Sequence, residues 1–432
     1  MNSPSPAFPA IERRVKVCNV AIAGFGTVGS SVAKILCQRN LGGIRLTHVY
    51  NRSAARKRSD WLSPDVRWTH DIDEVLSSPD VDLLVEVIGG LSPAEGWIRK
   101  ALNSGKSVVT ANKQLIAHFG TDLLTLATSM NCHLAFGASV AGGIPVISGL
   151  QEGLAGDELF KIYGILNGTC NYILSEIEGS GASFSTALAQ AQKLGFAEQD
   201  PADDVDGIDA RAKLAILARV GLRSEVAPDA IACHSIRPIE TIDFDYARHL
   251  GCTIRQISWA LLEGVQLFAS VGPALIGQSS PLARVQGSQN LVMSTGKFGG
   301  ETVFAGHGAG GNATAVAIVS DIIAIARSKR TPDNNLRGER TSHPAVTIDF
   351  TARHYLRFKV KDRPGIIASL SSILSRCNIN IDSVLQKPGY SKSELPFVIS
   401  LESCKFSEVQ NALREINQLD FLTQPCLHLP VL

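Results

Sequence analysis

The sequence has no excess of charge of either sign. Its 432 residues carry 41 Lys plus Arg against 40 Asp plus Glu, a net of +1. That balance argues against a polyanion as the main partner, so no nucleic acid is expected. No apolar run reaches transmembrane length, so no membrane partner is expected either. The nine cysteines include no CxxC pair and show no framework spacing, which points to reduced thiols and a cytoplasmic setting. The first residues, MNSPSPAFPAIERR, lack the apolar core of a signal peptide; residues 1–14 are expected to form a mobile Pro/Ser-rich tail. What remains has the composition and length of a globular chain of two or three domains.

Chemistry concentrates in residues 191–213, AQKLGFAEQDPADDVDGIDARAK. Glu198, Asp200, Asp203, Asp204 and Asp206 crowd one short loop. A helix is predicted to open at Gly207–Ile208–Asp209 and to carry Lys213. Asp209 and Lys213 are four apart and share a helical face. Such a pair on a surface contributes only ~0.3–0.5 kcal/mol. Here the next turns, Leu214 to Val220, are apolar almost all round, which marks a buried helix. A lysine entering that face needs a partner or a chemical task.

Upstream, Val15–Ala23 reads as a strand and leads into Gly24-Phe25-Gly26-Thr27-Val28-Gly29, then an amphipathic helix ending near Arg39. In the order strand, G-x-G-x-x-G, helix, the first glycine allows the turn. The second lets the backbone approach a pyrophosphate, and the third lets helix and strand pack. The second strand, Arg45–Tyr50, lacks the terminal acid that would bind the ribose hydroxyls of NAD. It is followed by Asn51-Arg52, then Arg56, Lys57 and Arg58. Arg52 suits a 2′-phosphate, favouring NADP over NAD; a solvated basic helix is the alternative. Further strands are predicted at Val81–Val87, Val108–Val109 and His133–Phe136, with Ile88-Gly-Gly90 and Asn112-Lys113 at strand ends. Repeated βα units imply a parallel, Rossmann-type sheet with its ligand at the carboxyl edge.

The middle of the chain predicts a strand at Leu159–Leu166 and then Asn167-Gly168-Thr169-Cys170-Asn171, with a helix from Tyr172. That junction suits either a plain N-cap or an anion pocket. Ala227–Gly264 reads as helical, and Val265–Val271 and Asn290–Gly296 as strands. A Gly-rich segment from Phe304 precedes a helix at Val316–Arg327; a loop before a buried helix and an anion site both fit. Residues 328–351 read as a polar linker. Beyond it, strands and helices follow in βαββαβ order, which fits a ferredoxin-like sandwich.

The motif A-x3-G-F-A-x2-D-P-x2-D-V-x-G-x-D-x3-K at 191–213, with VEVIGG, TANK and G-T-x-N-Y-I, resembles homoserine dehydrogenases. Asp362-Arg-Pro-Gly365, Asn378-Ile and Gln386 resemble an ACT domain, a sensor of small amino acids. The resemblance implies α/β and α+β domains: a dinucleotide-binding domain at 15–137, a mixed-sheet substrate and dimerisation domain at 138–327, and an ACT regulatory domain at 352–432. It implies interconversion of L-homoserine and L-aspartate 4-semialdehyde with NADP or NAD, and a homodimer or homotetramer.

It also implies roles for individual residues. Lys213 is the acid/base. Asp204 positions it or its water, and Lys113 and Asn112 meet nucleotide and substrate. Glu198 and Asp209 hold the substrate ammonium, while Gly195, Gly168 and Thr169 line the pocket. Gly308 joins the glycine motif and Arg52 at the cofactor. Carbonyls of Val140, Gly142 and Ile144 would ligate a monovalent cation. Gly137, however, stands where such enzymes have the glutamate ligand. Asp362, Gly365, Asn378 and Gln386 would bind an effector, threonine in this setting; a purely structural dimerisation module is the alternative. Two rival functions remain open: a silent amino-acid sensor with the same fold, and a dehydrogenase of another amino acid.

Overall fold

The computed structural model describes residues 17–57, 61–328 and 343–432. The 1–14 tail and Arg58 lie outside them. The first domain is built on six parallel strands: β1 Cys18–Ala23, β2 Ile44–Tyr50, β3 Arg67–Thr69, β4 Leu83–Glu86, β5 Ser107–Thr110 and β6 Leu134–Ala135. Their order is β3-β2-β1-β4-β5-β6. The order reverses between β1 and β4, and the crevice there is where such sheets take a dinucleotide. Strand β3 was not anticipated; three residues are too few to show a period.

The chain leaves this domain and returns to it. Helix Gly311–Arg327 packs on helix Thr27–Gln38, with Ala315, Ile318 and Ile322 in one apolar cluster with Val32 and Ala33. Both helices begin at the same place. A Cβ on Gly311 would fall 2.6 Å from Thr27 Cγ2.

Among the described residues the second sheet has eleven strands. They are β7 Leu159–Ile165, β8 Ala232–Cys233, β9 Cys252–Glu263, β10 Gln266–Gly277, β11 Gln289–Gly296, β12 Gly300–His307, β13 Ala345–Thr347, β14 Thr351–Val360, β15 Ile381–Gln386, β16 Leu395–Lys405 and β17 Leu427–Val431. The main path runs β12-β11-β7-β9-β10-β17-β14-β16-β15, with β8 and β13 also on β10. The sheet is mixed: β8, β13 and β17 meet β10 in parallel, and the other pairs are antiparallel. The last four strands, with helices Ile366–Arg376 and Phe406–Ile416, form the anticipated ferredoxin-like sandwich.

Three expectations need correction. Ala227–Gly264 is not helical throughout. It holds helix Thr241–His249 and ends in the twelve-residue β9. Nine consecutive residues of β9 are buried, so the alternation that announces a strand is lost. Helices begin at Gly168 and Gly311 rather than at Tyr172 and Val316. Glycine reads as loop, yet first-turn N–H groups lack intrahelical partners, so little is lost there. The polar 328–351 segment contributes β13, and its residues 329–342 lie outside the described set.

Helix Ile208–Gly221 is the buried centre. Ten of its fourteen residues are buried, among them Asp209 and Arg219. Arg219 reaches helix Lys113–Ser129, donating from Nη1 to the Ile116 carbonyl at 2.7 Å, and pairs with Glu225 at 2.6 Å. A Cβ on Gly120 would fall 2.3 Å from Arg219 Nη1, so glycine there admits the clamp. The clamp fixes the two helices that carry Lys113 and Asp209. The terminal sandwich is docked as firmly. Tyr355, Val398 and Leu429 share an apolar core with Ile173, Ile177, Phe244 and Tyr246. Among the described residues, no helix is long and apolar enough to cross a membrane.

Candidate active site

Asn167 follows β7 and caps helix Gly168–Ser180, its Oδ1 accepting from the Cys170 N–H at 2.8 Å. The cap choice follows from the local chain, since asparagine is a strong N-cap residue. Its amide nitrogen then faces the acidic loop. It donates to Asp204 Oδ1 at 2.6 Å and to Asp209 Oδ2 at 3.0 Å. One side chain therefore ties a helix start to both carboxylates.

Asp209 is the hub. Its Oδ2 accepts from Lys213 Nζ at 2.7 Å, and its Oδ1 lies 2.8 Å from Lys113 Nζ. Lys213 also donates to the Leu166 carbonyl at 2.9 Å. Burial alone would raise Asp209, but the Lys213 and Lys113 ammonium groups outweigh it and hold the carboxyl well below the usual range. Asp204, which shares the Asn167 amide with it, goes the other way. Burial raises it, with the Asp209 charge adding to the rise against the Asn167 bond. Two carboxyls side by side are thus driven apart, as acid/base sites require. Lys113 loses solvation, yet Asp209 keeps it above its ordinary value.

Lys113 is placed by the first sheet. Glu86, fully buried at the end of β4, accepts from the N–H groups of Ile88 and Gly89 at 2.8 and 3.2 Å and from Thr110 Oγ1 at 2.6 Å. Asn112 caps helix Lys113–Ser129 and donates to the Gly90 carbonyl at 2.6 Å. These bonds join the ends of β4 and β5 and aim the next residue, Lys113, into the crevice. Glu86 and the bridging role of Asn167 escaped the sequence reading; a buried carboxyl inside VEV looks like a strand residue, not an anchor.

The glycine motif has the geometry of a pyrophosphate cradle. Gly24 has φ +108°, and a Cβ there would fall 2.8 Å from the Val87 carbonyl oxygen. A Cβ on Gly29 would fall 2.0 Å from the Gly24 carbonyl oxygen. Gly26 has open space where its Cβ would be, and it leads helix Thr27–Gln38 without a side-chain cap. The helix from Gly311 starts beside it, equally uncapped. Two uncapped N-termini and a clear approach fit a dinucleotide's anionic bridge. Thr27 is exposed and Val28 half-buried. Phe25 is buried edge-on against Trp68, so its ring packs in the core. Arg52 is exposed just past β2. Gly308 lies over Gly142, whose Cβ would fall 2.6 Å from the Gly308 carbonyl oxygen.

Other residues lie apart from the hub. Gly195 and Glu198 sit on an exposed loop, tied to the site by Thr169 Oγ1, which donates to the Phe196 carbonyl at 2.6 Å. Gly168 starts its helix against the Ser288 backbone. In the segment holding Val140, Gly142 and Ile144, the Ile144 carbonyl already accepts from the Val146 N–H at 2.7 Å. The Gly137 N–H donates to Asp321 Oδ2 at 2.9 Å, and a Cβ at 137 would meet that carboxyl. Burial pushes Asp321 up to about 7. The donor set is therefore thin for a hard cation: backbone carbonyls, one of them already hydrogen-bonded, and no carboxylate at position 137. In the terminal sandwich, Asp362, Gly365 and Gln386 share one edge. Asn378 follows the far end of helix Ile366–Arg376, roughly 16 Å away along its axis. One small ligand cannot touch all four within a single copy.

Comparisons with known proteins agree with this geometry. A homoserine dehydrogenase family model matches residues 145–323. The NAD-binding domain model of the same enzymes matches 24–137, and an ACT domain model matches 354–421. The homoserine dehydrogenase of Bacillus subtilis (strain 168) is 35% identical over 421 residues, 95% of this chain and 97% of its own. The structure of a homoserine dehydrogenase from Thiobacillus denitrificans matches with a TM-score of 0.88 and 31% identity, over 96% of this chain and 98% of that one. A hyperthermophilic archaeal homoserine dehydrogenase, solved in complex with NADPH, matches at a TM-score of 0.63 and 27% identity, over 73% of this chain and 99% of that one. With every layer of the fold matched and identity sustained along nearly the whole chain, this protein belongs to the homoserine dehydrogenase family of oxidoreductases.

Proposed function

We propose that the protein interconverts L-homoserine and L-aspartate 4-semialdehyde with NADP as its preferred coenzyme, using Lys213 as the acid/base, under control of a small amino acid sensed by its ACT domain. The observation that carries this reading is the convergence of Lys213, Asp209, Lys113, Asp204 and Asn167 where the nucleotide crevice meets the mixed sheet. Lys213 as an amine takes the alcohol proton of homoserine; in the reverse direction its ammonium returns that proton to the aldehyde oxygen. A nicotinamide coenzyme held in the glycine cradle would supply the hydride chemistry at the carbon that bears that oxygen. Asp209 and the Leu166 carbonyl hold two of the Lys213 donors, leaving the third for the substrate oxygen. Both Asp209 oxygens are engaged by lysines, so Glu198, on the exposed loop that Thr169 ties to the site, is the proposed partner of the substrate ammonium. Arg52, just past β2 and without a competing acid at that strand end, supports NADP, as does the NADPH bound by the archaeal relative. Threonine is the proposed effector and a homodimer through the mixed sheet the proposed assembly.

The test is coenzyme reduction by purified protein with homoserine, with and without threonine, for the parent and Lys213→Ala. Turnover by the parent and not by the variant supports the reading. Silence of the parent with both coenzymes overturns it.

A further inference from the structure

Asn290 opens the buried part of β11 and is 3% exposed. Its Nδ2 donates to the Leu166 carbonyl at 3.0 Å. That is the carbonyl that also accepts from Lys213 Nζ at 2.9 Å. Turning the amide over would set Oδ1 against the Leu166 oxygen, acceptor to acceptor, so the carbonyl fixes its orientation. The Oδ1 is left buried and without a partner. A half-satisfied buried amide is a standing cost, and an apolar side chain would fill the same space without it. The donor half therefore has a use.

The other face of the amide is occupied by Gly308. A Cβ at 308 would fall 2.1 Å from Asn290 Cγ, 2.2 Å from Nδ2 and 2.4 Å from Oδ1. Gly308 leads the glycine run into helix Gly311–Arg327, whose start adjoins Thr27 of the nucleotide cradle. One planar group thus touches the carbonyl that holds Lys213 on one side and the nucleotide-side loop on the other.

We propose that Asn290 is a positioning residue that sets the Leu166 carbonyl for Lys213 and ties that setting to the Gly308 loop. It acts through Lys213 and does not touch the reacting atoms, and the proposal rests on the reading of Lys213 as acid/base. Placement matters at this scale: a misplacement of about 1 Å can slow an enzyme by about 10²-fold. Gly308 is the built-in check. An alanine there must push the amide off Leu166, so Gly308→Ala should imitate the loss of Asn290.

The experiment is steady-state homoserine oxidation and thermal unfolding of the parent, Lys213→Ala, Asn290→Leu, Asn290→Ala, Gly308→Ala and the Asn290→Ala/Gly308→Ala double variant. Asn290→Leu refills the volume without a donor. It is expected to fold and to lose kcat by about 10- to 100-fold, with KM for homoserine nearly unchanged. Gly308→Ala is expected to lose a similar factor, and the double variant no more than either single, since alanine at 290 vacates the space. If Asn290→Ala fails to fold, Asn290→Leu with Gly308→Ala carries the comparison. An Asn290→Leu enzyme with parental kcat, or single losses that multiply in the double variant, overturns the role of Asn290 alone. A Lys213→Ala enzyme that retains turnover overturns the reading of Lys213 and the proposal together.

Discussion

Lys113 and Lys213 come from different domains and end 2.8 and 2.7 Å from the two oxygens of one carboxylate, Asp209. A buried carboxylate with two ammonium partners is held ionised, and each lysine is held by it. The nucleotide side and the substrate side of the crevice therefore meet in one charge cluster.

Lys213→Ala should reduce kcat for homoserine by about 10²- to 10⁴-fold, the range for a lost acid/base. Coenzyme affinity should hold, because the glycine cradle is untouched. Stopped-flow turnover and coenzyme fluorescence titration, run on one preparation, check both halves.

Asp209→Asn removes the charge but not the shape. Lys113 then keeps its burial without its counter-charge, so its ammonium should become more acidic. Activity is expected to fall by at least about 10²-fold, as for a lost electrostatic partner in a water-poor site. Competitive acetylation followed by mass spectrometry should show Lys113 labelled faster than in the parent at the same pH.

The ACT domain is held by a buried ion cluster. Arg357, 1% exposed, donates to Glu240 at 2.7 Å and to the Pro238 carbonyl at 2.8 Å. Its Nε lies 2.9 Å from Asp243 without the alignment of a true hydrogen bond, so that contact is an ion pair. Burial raises Asp243 to about 6 even with Arg357 beside it. Arg357→Ala leaves that carboxyl buried without a counter-charge, held only by the Tyr355 hydroxyl and the Glu240 N–H, both at 2.8 Å, and should cost about 3–5 kcal/mol in urea unfolding. Arg357→Met with Asp243→Asn should recover most of it. For the same reason, deleting the ACT segment is not a clean way to uncouple regulation. It would bare Phe244 and Tyr246 and strand Asp243, so point variants at the Asp362–Gly365 edge are the better probe.

Acid should loosen the terminal sandwich. His428 Nε2 meets His354 Nδ1 at 2.9 Å, and Gln410 Nε2 meets His428 Nδ1 at 3.0 Å. Burial holds His428 down to about 3, with His354 and His234 adding to the fall. The unfolded chain takes up that proton near 6.5 and the folded chain does not. The share of stability that depends on His428 is therefore full above about 6.5 and lost as pH falls toward 3, while the raised Asp243 and Asp321 act in the opposite sense. His428→Gln should flatten part of that slope, leaving the shares of His354 and His234, with little change at pH 8. Urea midpoints at pH 5 and pH 8 decide it.

Arg52→Glu should turn coenzyme choice. Removing a guanidinium suited to the 2′-phosphate and adding an acid suited to ribose hydroxyls is expected to shift the ratio of kcat/KM for NADP over NAD by about 10²-fold or more toward NAD. Parallel assays with both coenzymes measure it. An unchanged ratio would return Arg52 to the role of a solvated surface charge.

Local pattern carried much of this. The glycine spacing at 24–29, the βα alternation before 137, the βαββαβ order at the end and the 191–213 motif are all written in neighbouring residues. Their physics is local too: turn sterics, helical faces and strand periods. By itself the sequence therefore determined the fold class, the dinucleotide crevice, and Lys213 with Asp209 on one helical face. Only the tertiary structure decided which distant groups complete them. Lys113 reaches Asp209 because Arg219, seemingly a stray charge in an apolar run, clamps two helices. Asn167 holds two carboxyls 37 and 42 residues away. Strand β9 hid its period because both its faces are buried. A buried charge or amide is explained by its partner, and a partner dozens of residues away leaves no trace in local periodicity; packing alone brings the two together.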